Sequence, residues 1–245
     1  MKLISRTQIR DAFAYYLSVT ILFSIDTTST PQMRAFRSLT SLFRRNVSQE
    51  VLAPNTANSK LPSSPLQQPI VWIDCEMTGL DIYNDHIVEI CCIITDQNLE
   101  VVDEGYESVI HYDNDVMSKM NEWCIEHHGT SGLTKKVLES TKTLPQVESE
   151  LLSYISQHIE PNTGVMAGNS IHMDKFFMYR EFPKVIDYLF YRLIDVSTIY
   201  EVCKRHNPAL LRTAPRKKAA HTAKADILES IQQLKWFQTH YLKSG

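Results

Sequence analysis

Two carboxylates stand one residue apart in Asp74-Cys75-Glu76, directly after the apolar run Ile70-Val71-Trp72-Ile73. The run is short and β-branched, with Pro69 before it and Gly79 after it, which is the pattern of a buried strand. Side chains alternate across a strand, so Asp74 and Glu76 point to the same face, one pleat apart. Two acids there repel each other and are costly to desolvate, and a cation between them removes both costs. Hard oxygen ligands at this spacing suit Mg²⁺ or Mn²⁺ better than zinc.

Two later segments offer partners. Gly168-Asn169-Ser170-Ile171-His172-Met173-Asp174 follows the apolar Val165-Met166-Ala167 and reads as a strand end, a turn and a helix beginning near Asp174. His221-Thr222-Ala223-Lys224-Ala225-Asp226 opens an amphipathic helix with Ile227, Ile231 and Leu234 among its apolar positions. His221 then lies on the turn before that helix and Asp226 inside it. Four carboxylates and one imidazole are the inventory of two-metal phosphodiester hydrolysis, in which ions roughly 3.5–4 Å apart clamp an in-line displacement. An imidazole with an ordinary pKa of about 6.5 is suited to taking the proton from the attacking water. Each residue also has a plainer reading. Asp74 and Glu76 could line a solvated strand edge, Asp174 could be a helix N-cap, and His221 could be satisfied by backbone.

The order Asp-x-Glu, Asp, then His-x-x-x-x-Asp resembles the DEDDh 3′-to-5′ exonucleases, and its wording resembles the oligoribonuclease family among them. The phrases that carry the likeness are Trp72-Ile73-Asp74, Glu76-Met77-Thr78-Gly79-Leu80-Asp81, Ile87-Val88-Glu89-Ile90, Ser131-Gly132-Leu133, Gly168-Asn169-Ser170 and Tyr191-Arg192 followed by Asp195-Val196-Ser197-Thr198. They span about residues 68–243. The resemblance implies a ribonuclease H-like α/β fold, a mixed sheet containing an antiparallel three-strand meander and flanked by helices. It implies two Mg²⁺ or Mn²⁺ ions held by Asp74, Glu76, Asp174 and Asp226, with His221 as general base. It implies a substrate pocket in which Leu80 is a wedge, Trp123 and His128 hold the bases and scissile region, and Ser170 touches the substrate. It implies a homodimer whose partner supplies Tyr191, Arg192, Ser197 and Thr198 to cap the substrate's 5′-phosphate. Such a cap would exclude longer chains, so the expected substrates are very short RNA oligonucleotides, dinucleotides above all, released as nucleoside 5′-monophosphates. This sequence departs from the family where Ala225 precedes the last acid, where Ala219-Ala220 precedes the last motif, and where Cys75 separates the first two acids. None of these removes a ligand. Two alternatives share the fold: a nuclease for longer RNA or DNA ends, and a catalytically silent RNA-binding homologue.

Composition supports the short-substrate reading. Across 245 residues the formal net charge is −3, but residues 1–66 hold eight Lys/Arg against three Asp/Glu, and the remainder 17 against 25. An acidic body argues against tracking along long nucleic acid, which needs a basic groove. The basic run Arg216-Lys217-Lys218 is either a solvated loop or a phosphate-steering patch. The five Cys, at 75, 91, 92, 124 and 203, are odd in number and lack zinc-site spacing. They read as core residues of a reducing compartment, with Cys91 and Cys92 on opposite faces of one strand.

Residues 1–66 read as an extension and 67–245 as the catalytic domain. From Met33 to Val47 the extension holds Arg34, Arg37, Arg44 and Arg45, several Ser and Thr, and no acid. Those are the marks of a mitochondrial transit segment. Cytoplasmic or nuclear residence would follow from a downstream start. The apolar run 12–25, shorter than the roughly 20 residues that span a bilayer, is either a signal-like or anchoring segment or sequence upstream of a start at Met33, and no stable membrane association is expected of the mature domain. Residues 48–68, with Pro54, Pro62 and Pro65, read as a linker. Within the body the pattern predicts strands over 70–76, 86–96, 99–110, 164–168 and 192–195. It predicts helices over 114–128, 130–140, 145–159, 174–181, 196–206 and 221–241. Asp96-Gln97-Asn98 supplies hairpin chemistry between the second and third strands.

Overall fold

The structure is a computed structural model that describes residues 66–215 and 222–242. The expected transit segment, the apolar run 12–25, the Arg216–Lys218 run and His221 lie outside the described residues.

A five-stranded sheet carries the fold, in the order β3-β2-β1-β4-β5. β1 (Ile70–Met77) is central, β2 (Ile87–Thr95) and β3 (Tyr106–Val109) form an antiparallel meander on one side, and β4 (Val165–Gly168) and β5 (Phe190–Asp195) lie parallel on the other. The mixed α/β architecture is the expected one. Between β3 and β4 come α1 (Asn114–Met117), α2 (Glu122–Thr130), α3 (Leu133–Glu139) and α4 (Leu144–His158). α5 (His172–Glu181) and α6 (Pro183–Tyr188) join β4 to β5, and α7 (Val196–His206), α8 (Pro208–Leu211) and α9 (Ala223–His240) follow.

The period-2 alternation of β1 sorts its side chains into two cores. Val71, Ile73 and Cys75 face α4, α5 and α6 through Leu151, Phe177 and Val185. Ile70 and Trp72 face α7 and α9 through Val196, Ile227, Ile231 and Phe237. Trp72 is fully buried, and its indole N–H donates to Thr95 Oγ1 at 3.0 Å. Truncating a core aromatic such as Phe177 to Ala should cost about 3–5 kcal/mol. Cys91 and Cys92 fall into opposite cores and all five cysteines are free thiols. Among the described residues no helix is long and apolar enough to cross a membrane.

Four local features differ from the sequence pattern, each for a legible reason. The third strand is short: the chain bridges at Thr95–Val101, leaves the ladder, and rejoins it at Tyr106. Asp103 holds that detour by accepting the Gly105 N–H and the Tyr154 hydroxyl, with Gly105 at φ +82°. The helix expected over 114–128 is two helices, because Asn121 caps the second by accepting the Cys124 N–H at 3.0 Å. Pro183 starts the unanticipated α6 at its N-terminus, where a missing N–H costs nothing. α5 begins at His172, so Asp174 stands in its first turn and is not its N-cap.

Candidate active site

Asp74 and Glu76 continue the β1 face that carries Ile70 and Trp72, at the end where apolar cover runs out. β4 pairs with β1 only as far as Trp72, which leaves the β1 edge beyond it unpaired on that side. Asp174 fills the gap: its Oδ1 accepts the N–H of Cys75 at 3.0 Å. A carboxylate from α5 thereby meets β1 at the backbone position between the two strand acids. Asp226 sits in the first turn of α9, capped by Thr222, and α9 packs on the same face as Asp74 and Glu76. β1, α5 and α9 thus bring the four expected acids to one end of the sheet.

Their electrostatics are set by burial first. Glu76 is pushed up to about 7, first by burial and then by Glu89, Asp226 and Asp174. Asp174, buried, is also pushed up to about 7 by desolvation, against the lowering effect of its bond from Cys75. Glu89 stands directly opposite Glu76 in the β1–β2 ladder, 5% exposed, and burial raises its pKa while Lys136 at 4.0 Å lowers it. Like charges facing each other across a ladder are destabilising unless something neutral or positive intervenes. Among the described residues no three His, Cys, Asp or Glu side chains are drawn close enough to hold an ion. Hard, desolvated carboxylate oxygens are the donor type a divalent cation satisfies.

The substrate-side residues divide. Leu80 is 67% exposed at the tip of the Thr78–His86 loop, and that loop is firmly held. Asp85 accepts the Thr78 hydroxyl at 2.9 Å and the Asp81 N–H at 2.8 Å. A Cβ on Gly79 would collide with the Asp85 carboxylate. From the far end of α5, Glu181 accepts the Ile87 N–H and bonds His86 Nδ1, and Arg180 donates to the carbonyls of Ile82 and Asp85. Trp123 is 65% exposed, and its ring stacks on His127 at 4.6 Å, one helical turn on. The expected pairing with His128 differs: His128 is 1% exposed and bonds the Met77 carbonyl through Nε2 at 2.9 Å. It lines a small cavity with Glu76, Glu89 and Lys136.

Ser170, exposed, adopts φ +55°, and its hydroxyl lies 3.4 Å from that of Ser197, so Ser197, expected to serve a partner protomer's site, stands beside Ser170 of its own chain. Thr198 is exposed beside it on α7. Tyr191 and Arg192 project from the exposed start of β5, Arg192 Nε donating to the Tyr191 hydroxyl at 3.1 Å. Lys175, next to Asp174, donates to the Tyr191 carbonyl at 2.8 Å, and burial lowers its pKa. Sequence reasoning missed Asn169, Lys175, Arg180, Glu181 and Asp195 as supports. Their partners are long-range, so only the phrases Gly-Asn-Ser and Asp-Val-Ser-Thr carried any signal.

A family model described as "Exonuclease" matches residues 71–234. The chain is 60% identical over 221 residues to "Oligoribonuclease, mitochondrial" of Saccharomyces cerevisiae, covering 84% of this chain and 82% of that protein. It is 46% identical over 178 residues to "Oligoribonuclease, mitochondrial" of Homo sapiens, covering 73% and 75%. Among solved structures it resembles "The structure of exonuclease I suggests how processivity is achieved", with a TM-score of 0.57 at 15% identity. It also resembles the zinc-ion-bound form of the E. coli exonuclease I–ssDNA complex, with a TM-score of 0.56 at 16% identity. Each likeness covers 72% of this chain and 42% of the other, and shows a shared fold.

Proposed function

This chain belongs to the exonuclease family, in its oligoribonuclease branch, and from that premise we propose how its residues act on very short RNA. The enzyme is a 3′-to-5′ exoribonuclease. The observation that carries the site reading is Asp174 held against β1 by the Cys75 N–H, at the strand position between Asp74 and Glu76. These acids and Asp226 would hold two divalent ions, Mg²⁺ or Mn²⁺, which supply a water nucleophile at neutral pH and stabilise the leaving oxygen. His221, five residues before Asp226, takes the proton from the attacking water. Leu80, on its clamped loop, separates two bases, and the Trp123 ring offers an open aromatic face for stacking. His128 holds the Met77 carbonyl from below and keeps the wedge loop against α2. Ser170, beside Ser197, presents its hydroxyl to a phosphate oxygen.

The enzyme acts as a homodimer, in which Tyr191 and Arg192 of one protomer, with Thr198, reach the 5′-phosphate in the other. Support comes from their exposure on an edge strand, an open row of backbone groups that proteins commonly cover. Residues 1–66 direct the chain to mitochondria, in keeping with the relatives' names. The test is a length series of 5′-labelled RNA from two to seven nucleotides, with Mg²⁺, Mn²⁺ or a chelator. Fastest release from the dinucleotide, abolished by chelation, is expected. Equal rates across the series would favour a general RNA trimmer.

A further inference from the structure

Ser170 holds a left-handed backbone conformation that serine seldom adopts. Two hydrogen bonds fix it. Its N–H donates to Asp195 Oδ1 at 3.0 Å, and its carbonyl accepts from the Met173 N–H at 2.9 Å. The same Asp195 oxygen accepts the Ser197 N–H at 2.9 Å, as the N-cap of α7. One carboxylate oxygen therefore joins two segments 25 residues apart. The parallel register of Gly168 with Asp195 makes this possible, since it sets the turn after β4 beside the start of α7. Asp195 Oδ2 also meets His172 Nδ1 at 3.3 Å.

The hydroxyls so positioned begin a chain of hydrogen bonds that runs in one direction. Ser170 Oγ donates to Ser197 Oγ at 3.4 Å, and Ser197 Oγ donates to Asn169 Oδ1 at 3.1 Å. The Asn169 amide donates to Ser230 Oγ at 2.5 Å, and Ser230 donates to the Asp226 carbonyl at 2.8 Å. Aligned donors polarise one another, so such a chain acts as a unit. It ends on the backbone of the α9 turn that carries an acid of the metal site.

We propose that Asp195 is a positioning residue for substrate, its Oδ1 fixing the Ser170 turn and the α7 N-terminus so that the Ser170 hydroxyl, held beside Ser197, turns its proton to a phosphate oxygen. This rests on the reading that Ser170 touches the nucleotide. Asn169 extends the same hold to Ser230 and α9. A phosphate oxygen only accepts hydrogen bonds and each hydroxyl has one proton, so the Ser170 hydroxyl turns from Ser197 to the phosphate while Ser197 keeps its bond to Asn169, and a loose turn would not hold that hydroxyl in place.

The experiment compares full-length wild type with Asp195→Ala, Asp195→Asn, Asn169→Ala, Ser170→Ala and Asp195→Ala/Ser170→Ala on a 5′-phosphorylated diribonucleotide, reading kcat, KM and Tm for each. Asp195→Ala should raise KM on the order of 10-fold, with kcat changed much less, as expected for a lost charge-assisted bond. Asp195→Asn should recover most of that loss, because its amide oxygen still accepts both N–H groups. The double variant should have a KM near that of the worse single variant, since the two changes remove one interaction. If Asp195→Ala unfolds, Asn169→Ala, which leaves the α7 cap in place, should raise KM in the same direction. An active wild type with unchanged KM in both Asp195→Ala and Asn169→Ala, or fully multiplicative effects in the double variant, would overturn the proposal alone. A wild type unable to cleave the dinucleotide would overturn the underlying reading and the proposal with it.

Discussion

Asp174 Oδ1 accepts the backbone N–H of Cys75 at 3.0 Å, so an acid from α5 completes a hydrogen bond that β1 would otherwise have received from a neighbouring strand. The bond does two things. It satisfies a buried donor, and it holds a third carboxylate at the end of β1 that carries Asp74 and Glu76. Asn at position 174 keeps an acceptor for Cys75 but carries no charge. Asp174→Asn should therefore hold or raise Tm while losing activity by roughly 10²-fold or more, the scale of a lost charge-stabilising group. Parallel melting and turnover measurements check this, and a variant that melts early while turning over normally would refute the division of roles.

The raised acids set the sign of a pH effect. Glu76 moves from an ordinary 4.5 to about 7 and Asp174 from 3.8 to about 7 in the folded chain. A carboxyl whose folded pKa lies above its unfolded value contributes stability below the unfolded pKa, and that stability is lost as pH rises through the folded value. In chelator, Tm should fall by a few degrees between about pH 5 and pH 8. Added Mg²⁺ should raise Tm more at pH 8 than at pH 5, because binding requires the charged forms. A chelated protein whose Tm climbs across that range would contradict the assignment.

The elements that carry the four acids were legible in the sequence because local phrases place them. The Asp-x-Glu pair on a strand, the acid after Gly-Asn-Ser and the acid in the first turn of the last helix all required only periodicity and turn residues. What was not legible depends on distant partners. The stacking of Trp123 on His127, and the inward turn of His128, follow from which face of α2 meets the Met77 carbonyl. The detour before β3 depends on Tyr154 and Gly105, and no strand-period pattern encodes the Asp103 bonds that hold it.

The wedge loop should prove sensitive to α5. Glu181 and Arg180 hold the Ile82–Ile87 segment from behind while Leu80 projects. If Leu80 acts as proposed, Arg180→Ala should raise KM for the dinucleotide with a smaller effect on kcat, since it loosens the Leu80 loop and leaves Asp74, Glu76, Asp174 and Asp226 in place. Leu80→Ala should raise KM in the same way. A double variant no worse than Leu80→Ala alone would show that both act through the loop, whereas independent effects would assign Arg180 elsewhere.

His221→Ala should lower kcat by roughly 10²–10⁴-fold, the usual span for general acid–base catalysis, and weaken substrate binding far less. The pH–rate profile should lose its rising limb with the imidazole. A variant with wild-type kcat at its optimal pH would point to another base.

The dimer reading makes the most demanding prediction. Arg192 donates to the Tyr191 hydroxyl and its guanidinium lies 5.5 Å over the Tyr191 ring, so the pair is aligned before any ligand arrives. Lys175 fixes the Tyr191 carbonyl from the helix that carries Asp174, which ties the pair to the metal side of its own chain. A terminal phosphate carries more charge than an internal diester, and a guanidinium fork with neighbouring hydroxyls discriminates the two electrostatically. Arg192→Ala should therefore impair 5′-phosphorylated dinucleotides far more than unphosphorylated ones, and should narrow the preference for two nucleotides over seven. If the pair acts across the dimer, each working site needs metal acids from one chain and Arg192 from the other. Mixing Asp74→Ala chains with Arg192→Ala chains should then regenerate one complete site per heterodimer and restore activity that neither parent shows. Heterodimers verified by mass that remain as inactive as their parents would place Arg192 in the site of its own chain.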